Sequence, residues 1–405
     1  MKYKRIFVIV ADSMGVGAEP DADKFFNDGV SDEGSHTMLH ISEKMPGGKG
    51  LVVPTMNAMG LGDLDPILGT TKVTHPNSFV AKSREMSNGK DTMTGHWEMM
   101  GVYTTKPFMT FTDHGFPKEL MDELEAKTGR KCIGNYAASG TEILVTLGEE
   151  AKRDGSLIVY TSADSVLQIA AHEDAVSVPE LYRCCDIARE ICMKPEWMVG
   201  RVIARPFIGE DKDSFKRDGP KRHDLALRPT VPTVMNVLQD NGYMVDCIGK
   251  IGDIFDGYGV VNTTKTSSNE DGMDKTIAHC KDMDFTGLCF VNLVEFDSEY
   301  GHRRNPVGYG ECIERFDKRL KELMGVMHDD DLVIVTADHG NDPTWAGTDH
   351  TREKVPLLMY SKSIKTGRLL DERASFGDIG ATIAKNFGVK MPDNLIGSPI
   401  EELFE

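Results

Sequence analysis

Residues 332–339 read Leu332-Val333-Ile334-Val335-Thr336-Ala337-Asp338-His339, a short continuous apolar run that ends in an acid and an imidazole. Three other runs have the same form: Ile6–Val10 before Asp12, Leu157–Tyr160 before residues 161–164, and Cys289–Val294 before Asp297. Continuous rather than alternating apolar runs are typical of strands buried on both faces, as in a parallel sheet covered by helices. The sequence therefore predicts an α/β fold.

Helical patterns lie between these runs. Surface helices are predicted over Pro117–Thr128, Pro179–Cys192 and Thr230–Asn241. Ser375 and Asp378 predict a capping box before Ile379–Phe387, and Gly388 predicts the end of that helix. In open α/β sheets, ligands bind at the carboxyl ends of the parallel strands. We therefore expect the polar residues that follow the strands to gather at one edge of the sheet.

Length and a change of pattern predict two domains. At 405 residues the chain exceeds the usual size of one hydrophobic core. The middle of the chain differs from its flanks, with a helix-rich stretch, the Leu157 strand, the Val199–Ile208 run and a charged stretch over Gly209–Lys221. We predict a discontinuous core domain over residues 1–103 and 227–405, with a cap domain inserted over residues 104–226.

Composition and charge exclude several functions. A net charge of −18 argues against a nucleic-acid binder, which needs a basic surface to offset phosphate charge. The N-terminal apolar run is interrupted at Asp12, too early for a signal peptide, and no stretch has the length of a membrane span. The eight cysteines form no C-x-x-C pair and are expected to be reduced thiols. We expect a cytoplasmic monomer with neither a nucleic-acid nor a membrane partner.

Six residues in separate segments have the side chains that bind transition metals: Asp12, Asp297, His302, Asp338, His339 and His350. A mixed Asp and His set suits Zn²⁺ or Mn²⁺ better than Ca²⁺, which prefers oxygen ligands. Six ligands exceed the need of one tetrahedral site, so the pattern predicts two metal ions with open positions. Each of these residues taken alone could instead have a structural role, such as a helix cap or a core histidine. The prediction rests on their joint occurrence after strands.

The segment from Ser87 to Glu98 predicts a loop that enters a helix. A helix N-terminus offers free N–H groups and a positive dipole end to a phosphoryl group. A hydroxyl at this place can attack phosphorus when a metal lowers its pKa. Thr92 and Thr94 both qualify by chemistry, and a capping role is the alternative for each.

Several segments resemble those of the bacterial phosphopentomutases, a family of the alkaline phosphatase superfamily. They are residues 89–98, 161–168, 201–207, 296–304 and 336–343. The resemblance spans about residues 4–397, and the segments 89–98 and 201–207 narrow it from the superfamily to the mutase. It implies an alkaline-phosphatase-like core, with a mostly parallel central sheet flanked by helices, and an inserted α+β cap domain. Glu295 stands where the resemblance leads us to expect Asp, next to the ligand segment, but it is not an expected ligand.

The resemblance also implies roles for individual residues. Thr92 would be the phosphorylated residue. One Mn²⁺ would bind Asp297, His302 and His350, and a second would bind Asp12, Asp338, His339 and the Thr92 oxygen. Substrate contacts would come from Ser162, Asp164, Arg201 and Arg205 of the cap and from Lys250 of the core. The implied reaction interconverts ribose 1-phosphate and ribose 5-phosphate, and the 2-deoxy pair, through a 1,5-bisphosphate, with glucose 1,6-bisphosphate as activator.

Four alternatives remain at this stage. A metal-dependent phosphoglycerate mutase would share the metal ligands but would use serine where this chain has Thr92. A phosphatase would release phosphate to water. A sulfatase is disfavoured because no Cys-x-Pro-x-Arg segment occurs. A sugar-phosphate sensor without catalysis would have lost ligands or the nucleophile, and all are present.

Overall fold

The computed structural model describes residues 1–74, 78–162 and 165–405. The chain divides into two compact units, one formed by Met1–Lys106 with Arg228–Glu405 and the other by Pro107–Leu227. The predicted boundaries, after residues 103 and 226, differ from these divisions by three residues and by one residue. Within the described ranges, no helix combines the length and the apolar character that a membrane span requires.

The strands, in chain order, are β1 (Arg5–Ala11), β2 (Phe26–Asn27), β3 (Val30–Ser31), β4 (Ser78–Ser83), β5 (Cys132–Ala137), β6 (Leu157–Thr161), β7 (Val166–His172), β8 (Arg201–Ile208), β9 (Lys216–Arg217), β10 (His223–Ala226), β11 (Met244–Ile248), β12 (Asn262–Thr264), β13 (Gly287–Leu293), β14 (Asp331–Thr336) and β15 (Val355–Tyr360). β1, β13 and β14 are buried along their whole length. This agrees with their continuous apolar sequences.

The α-helices are α1 (Thr37–Lys44), α2 (Pro54–Met59), α3 (Leu61–Leu64), α4 (Thr92–Met99), α5 (Lys118–Thr128), α6 (Glu142–Asp154), α7 (Val178–Ile191), α8 (Val234–Asp240), α9 (Ile251–Ile254), α10 (Asn269–Asp282), α11 (Pro306–Val326) and α12 (Gly377–Phe387). Short 3₁₀ turns occupy Ala22–Lys24, Pro46–Gly48, Gly219–Lys221 and Glu401–Phe404, and a π-helical turn occupies Phe296–Gly301.

The first unit is built on a seven-stranded sheet with the order β12-β11-β13-β1-β14-β15-β4. The strands from β12 to β14 run parallel, and β15 pairs antiparallel with both β14 and β4. Two groups of helices cover this sheet: α1, α2, α10 and α11 pack together, as do α4, α8, α9 and α12. The predicted α/β class, with a mostly parallel central sheet flanked by helices, is confirmed.

The second unit has a six-stranded sheet with the order β10-β8-β7-β6-β5 and with β9 beside β8. It is mixed, because β5–β6 and β7–β8 pair parallel whereas β6–β7 and β8–β10 pair antiparallel. Ile169 packs in an apolar cluster with residues of α5 and α7, and the next residue, Ala170, packs in a cluster with residues of α6. Neighbouring strand residues face opposite sides, so helices cover both faces of this sheet.

The ends of α12 test two predictions about helix capping. Gly388 has φ 66° and ends the helix, as predicted. The predicted capping box is wrong, because the N-cap residue is Phe376 and no side chain caps it. The carboxylate of Asp378 is engaged by Arg373 at 2.7 Å and by the backbone N–H of Ser398, also at 2.7 Å. These tertiary contacts keep it from reaching back to the N-cap. All eight cysteines are free thiols, as expected.

Candidate metal centre

Two neighbouring parallel strands place the first group of predicted ligands. Asp12 follows β1 directly, and Asp338 and His339 lie just beyond the end of β14. His339 Nε2 lies 3.5 Å from Asp12 Oδ1 and 3.3 Å from Asp338 Oδ2. All three side chains are buried. We call Asp12, Asp338 and His339 the strand cluster.

The second group sits on irregular backbone. Asp297 lies in the π-helical turn that comes shortly after β13, His302 ends this turn, and His350 lies in the segment before β15. His302 Nε2 is 3.0 Å from Asp297 Oδ2 and 3.1 Å from His350 Nε2, and His350 Nε2 is 3.6 Å from Asp297 Oδ1. We call Asp297, His302 and His350 the loop cluster.

The two clusters adjoin. The rings of His339 and His350 stack with centroids 3.9 Å apart. Ligand atoms of Asp297, His339 and His350 lie within 4.8 Å of one another, as do those of Asp12, Asp338 and His339. His339 therefore stands between the clusters, whereas the resemblance assigned it to one metal alone. Such a short separation suits a pair of ions that act on one substrate.

Backbone carbonyls orient two of the imidazoles. His302 Nδ1 lies 2.6 Å from Thr348 O, and His339 Nδ1 lies 3.0 Å from Gly340 O. A carbonyl oxygen only accepts hydrogen bonds, so each Nδ1 is the donor. Each Nε2 consequently faces its cluster, which is the arrangement that metal-binding histidines favour.

The residues of both clusters fit divalent cations. Asp12 Oδ1 is buried without a hydrogen-bond partner among the described residues. Asp338 Oδ2, also buried, lies 3.1 Å from His96 Nδ1 and 3.3 Å from His339 Nε2. Burial, followed by the charges of Asp338 and Asp297, raises the pKa of Asp12 well above its usual range. Burial also acts to raise the pKa of Asp297, but the charges of His302 and His350 outweigh it and hold that pKa well below its usual range. A divalent cation would give the buried Asp12 oxygen the partner that it lacks.

Thr92 is the first residue of α4, beside the strand cluster. Its Oγ1 lies 3.2 Å from His339 Nε2. The helix approaches closely because residue 95 is glycine: a Cβ there would lie 2.1 Å from Asp338 O. Asp91 caps the helix, with Oδ1 accepting from the N–H groups of Met93 and Thr94. The Thr94 hydroxyl instead donates to Asp91 Oδ2 at 2.5 Å, so the geometry favours a capping role for Thr94 and leaves Thr92 facing the cluster.

Comparison with known proteins places the chain in a family. The model described as "Metalloenzyme superfamily" matches residues 4–391. The chain belongs to the Metalloenzyme superfamily. Membership in this superfamily and the two clusters together indicate that the protein binds divalent metal ions.

Several solved structures are similar to this superfamily member. A protein from Pyrococcus horikoshii is 13% identical, with 96% of this chain and 98% of that one covered and a TM-score of 0.48. The phosphoglycerate mutase of Leishmania mexicana, determined at low cobalt concentration, is 12% identical, with 98% and 97% covered and a TM-score of 0.46. A protein in the alkaline phosphatase superfamily from Vibrio parahaemolyticus is 18% identical, with 43% and 50% covered and a TM-score of 0.34.

Two residues around the strand cluster were missed by sequence reasoning. Asn292 Nδ2 donates to Asp12 Oδ2 at 3.0 Å and lies 3.3 Å from His96 Nε2. The other nitrogen of His96, Nδ1, lies 2.8 Å from Thr92 O. The pair thus connects a predicted ligand to the backbone of Thr92. A signal was present, because Asn292 is a polar residue inside the apolar run of β13.

A buried arginine holds the segment that leads to Thr92 in this metalloenzyme. Arg352, 3% exposed, donates to the carbonyl oxygens of Glu85, Ser87 and Gly89 at 2.8, 2.9 and 2.5 Å. Its guanidinium also pairs with the Glu85 carboxylate at 2.8 Å and with Asp21 at 3.1 Å. Arg352 follows His350 by two residues, so one short segment carries a predicted ligand and anchors the approach to Thr92. No sequence pattern predicts this contact.

The predicted substrate residues are distributed over both units. In the second unit, Ser162 follows β6, Arg201 begins β8, and Arg205 Nε donates to Gln168 Oε1 at 3.1 Å. Burial, followed by the charges of Arg222 and Arg217, lowers the pKa of Arg205. In the first unit, Lys250 is the N-cap of α9, and its charge acts on Asp12. Asp164 lies outside the described residues.

Proposed function

We propose that the protein is a phosphopentomutase that interconverts ribose 1-phosphate and ribose 5-phosphate, and the corresponding 2-deoxyribose phosphates. The observation that carries the proposal is the position of the Thr92 hydroxyl, 3.2 Å from His339 Nε2 at the start of α4. A nucleophile for phosphoryl transfer needs this neighbourhood of metal ligands and helix N-terminal N–H groups. The pentose substrate is supported by the resemblance of residues 89–98 and 201–207.

The resemblance implies the two ligand sets, and the two clusters support them. Asp297, His302 and His350 would hold one ion, and Asp12, Asp338 and His339 would hold the other beside Thr92. Mn²⁺ is proposed for both, because mixed carboxylate and imidazole ligation suits it. When bound, the two ions would supply positive charge that stabilises the transferring phosphoryl group and favours deprotonation of the Thr92 hydroxyl.

The residues of the chain then carry out the transfer. The phosphoryl group of phospho-Thr92 would pass to the free hydroxyl of a pentose monophosphate, which gives a 1,5-bisphosphate and free Thr92. The bisphosphate would turn round and return its other phosphoryl group to Thr92. Glucose 1,6-bisphosphate would supply the first phosphoryl group as activator. Asp91 fixes the start of α4, so that Thr92 keeps its position between the two half-reactions.

Three of the proposed substrate residues, Arg201, Arg205 and Lys250, would supply positive charge to a protein of net charge −18. Lys250 would act beside the strand cluster. Arg201 and Arg205 would bind the second phosphate, with Ser162 and Asp164 contacting the sugar. Cationic side chains of this kind attract a phosphate ester even when the whole protein is acidic.

Phosphorus NMR tests the proposal. Purified Mn²⁺-loaded protein receives ribose 5-phosphate and a trace of glucose 1,6-bisphosphate, and the spectrum is followed over time. We expect a ribose 1-phosphate signal without inorganic phosphate. Release of inorganic phosphate would identify a phosphatase at the same site, since water would then be the acceptor. Unchanged ribose 5-phosphate, together with turnover of 3-phosphoglycerate, would favour the phosphoglycerate mutase alternative.

A further inference from the structure

The guanidinium of Arg304 lies among oxygen atoms of the segment that leads to His350. Nε donates to Gly347 O at 2.5 Å, and Nη2 donates to Asp349 O at 3.1 Å and Ala346 O at 3.4 Å. Nη1 donates to Asn341 Oδ1 at 2.6 Å and to Asp342 O and Gly301 O, both at 3.1 Å. All six acceptors are neutral oxygens. The planar fork of arginine can serve so many acceptors at once, whereas the ammonium group of lysine cannot.

The backbone at Arg304 is strained. Its φ of 52° lies in the left-handed region, which costs a residue with a Cβ about 1 kcal/mol or more. Its side chain is also half-buried. The adjacent Arg303 is not in the left-handed region, and its side chain is 65% exposed and pairs with Glu299 at 2.7 Å. The hydrogen bonds of Arg304 must offset these costs, so they fix the path of the 341–349 segment.

Each residue of the loop cluster has one connection to this guanidinium. Asn341, held through its oxygen by Arg304, donates from Nδ2 to Asp297 Oδ1 at 2.7 Å. Arg304 binds the carbonyls of Gly347 and Asp349, on either side of the Thr348 carbonyl that accepts from His302 Nδ1. The Asp349 carbonyl belongs to the peptide bond that leads into His350. Arg304 therefore controls the placement of all three side chains without touching any of them.

We propose that Arg304 is a positioning residue that sets the metal affinity of the loop cluster and leaves that of the strand cluster unchanged. The proposal rests on the proposed function, in which these residues are metal ligands. Arg304 should affect the loop cluster alone because the strand cluster is positioned by strand pairing. Asp12 and Asp338 follow β1 and β14, which pair in parallel register from Arg5 opposite Asp331 to Val10 opposite Thr336. Partners behind the ligands typically affect metal affinity by about 10- to 100-fold.

Metal titration of folded variants tests this proposal. Wild type, Arg304→Met, Arg304→Lys and the control Arg303→Met are stripped of metal and titrated with Mn²⁺ by calorimetry, and bound metal is counted by elemental analysis. We expect wild type and Arg303→Met to bind two ions. Arg304→Met should bind one of them about 10- to 100-fold more weakly and the other with unchanged affinity. Arg304→Lys keeps the charge but loses the fork, so it should weaken the same ion.

The outcomes separate this proposal from the proposed function. Two unchanged affinities in folded Arg304→Met, or equal weakening of both ions, would overturn the role of Arg304 while leaving the two-metal site intact. If Arg304→Met does not fold, the same criteria apply to Arg304→Lys. A wild-type protein that binds no pair of Mn²⁺ ions would overturn the two-metal site itself. A histidine NMR spectrum adds a readout independent of activity: the His302 Nδ1 proton should lose its hydrogen-bonded shift in Arg304→Met and keep it in Arg303→Met.

Discussion

The strand cluster and the loop cluster reach the same place by different means. The strand cluster takes its geometry from β1 and β14, which are buried along their whole length and pair in register. The loop cluster takes its geometry from a π-helical turn and the segment before His350, and a single guanidinium connects the two. Strands impose position through a repeated ladder of hydrogen bonds. Loops need a specific side chain to do so, and one substitution can remove it.

The clusters also differ in charge. Two carboxylates and one imidazole form the strand cluster, whereas one carboxylate and two imidazoles form the loop cluster. Accordingly, the pKa of Asp12 is raised by burial and its acidic neighbours, and the pKa of Asp297 is lowered by His302 and His350 against the effect of burial. In the strand cluster the charges of His339 and His96 lower the pKa of Asp338 against the effect of burial, so the destabilising charge of a metal-free protein should lie at Asp12 alone, and the charge of Asp297 should be stabilising.

The largest effect is expected at Thr92, which belongs to the strand-cluster side. Thr92→Val keeps the shape of the side chain and removes the hydroxyl, so phosphoryl transfer should fall on the order of 10⁴-fold or more. Both Mn²⁺ ions should remain bound, because the six proposed Asp and His ligands are intact and only the proposed contact with the Thr92 oxygen is lost. The measurement is turnover of ribose 5-phosphate together with metal content.

The matched control is Thr94→Val, which loses a hydroxyl two residues away. It removes a contact with Asp91 and should cost stability rather than chemistry, on the order of 1 kcal/mol for the lost helix-cap contact. Full activity of Thr92→Val, or an equal loss in both variants, would show that Thr92 is not the nucleophile.

Removing one carboxylate from each cluster should change the stability of the metal-free protein at pH 8 in opposite directions, and this effect should be smaller. Asp12→Asn removes a destabilising charge, so its urea midpoint should rise above wild type in the presence of a chelator. Asp297→Asn removes a charge that the two imidazoles stabilise, so its urea midpoint should fall. The corresponding loss in free energy of unfolding is on the order of 1–3 kcal/mol. Asp393→Asn, at an exposed acid, is the control and should leave the midpoint unchanged.

The opposite changes expected in the urea midpoints of Asp12→Asn and Asp297→Asn follow from proton linkage. A carboxyl with a raised folded pKa loses stability as pH rises above its unfolded pKa, so at pH 8 the charge of Asp12 opposes folding. A carboxyl with a lowered folded pKa contributes stability that is complete above its unfolded pKa and is lost as pH falls through the folded pKa, so at pH 8 Asp297 supports folding. Shifts of the same sign in the two variants would show that the clusters do not differ in this way.

The strand cluster was also the more predictable of the two. Continuous apolar runs predict buried parallel strands, and parallel strands bring the residues after them to one edge, which is why Asp12, Asp297, Asp338 and His339 were expected at one edge of the sheet. Their division between two metal ions came from the resemblance. His302 and His350 were named from the joint pattern and the resemblance. Their support was not predicted, since the contacts of Arg304 depend on a loop path that has no periodic sequence signal.

The helix-cap predictions show that tertiary contacts without a periodic sequence signal are also missed at helix ends. Thr233 and Asn236 form a capping box at the start of α8, with Asn in place of the usual Glu or Gln, and the sequence pattern did not reveal it. Ser375 and Asp378 have the sequence of a capping box, and Arg373 draws the acid away. Local patterns predict the elements, and the side chains that connect distant segments decide the details.

The smallest expected effect tests whether burial alone, without a metal site, accounts for a raised carboxyl pKa. Glu19 is 4% exposed, accepts from the backbone N–H of Glu85 at 2.7 Å, and belongs to neither cluster. Burial raises its pKa from the usual 4.5 to about 6. Between these two pH values the folded protein binds more protons than the unfolded chain, so stability falls as pH rises and the loss is complete above pH 6. Glu19→Gln removes this loss, which amounts to at most about 2 kcal/mol, and its amide oxygen can still accept from Glu85.

We therefore expect the urea midpoints of wild type and of Glu19→Gln to diverge between pH 4.5 and 6, with the variant more stable at neutral pH. Addition of Mn²⁺ should leave this divergence unchanged, whereas it should abolish the advantage of Asp12→Asn over wild type. If Mn²⁺ changed both alike, the stress at Asp12 would reflect general burial rather than a cluster built for a cation.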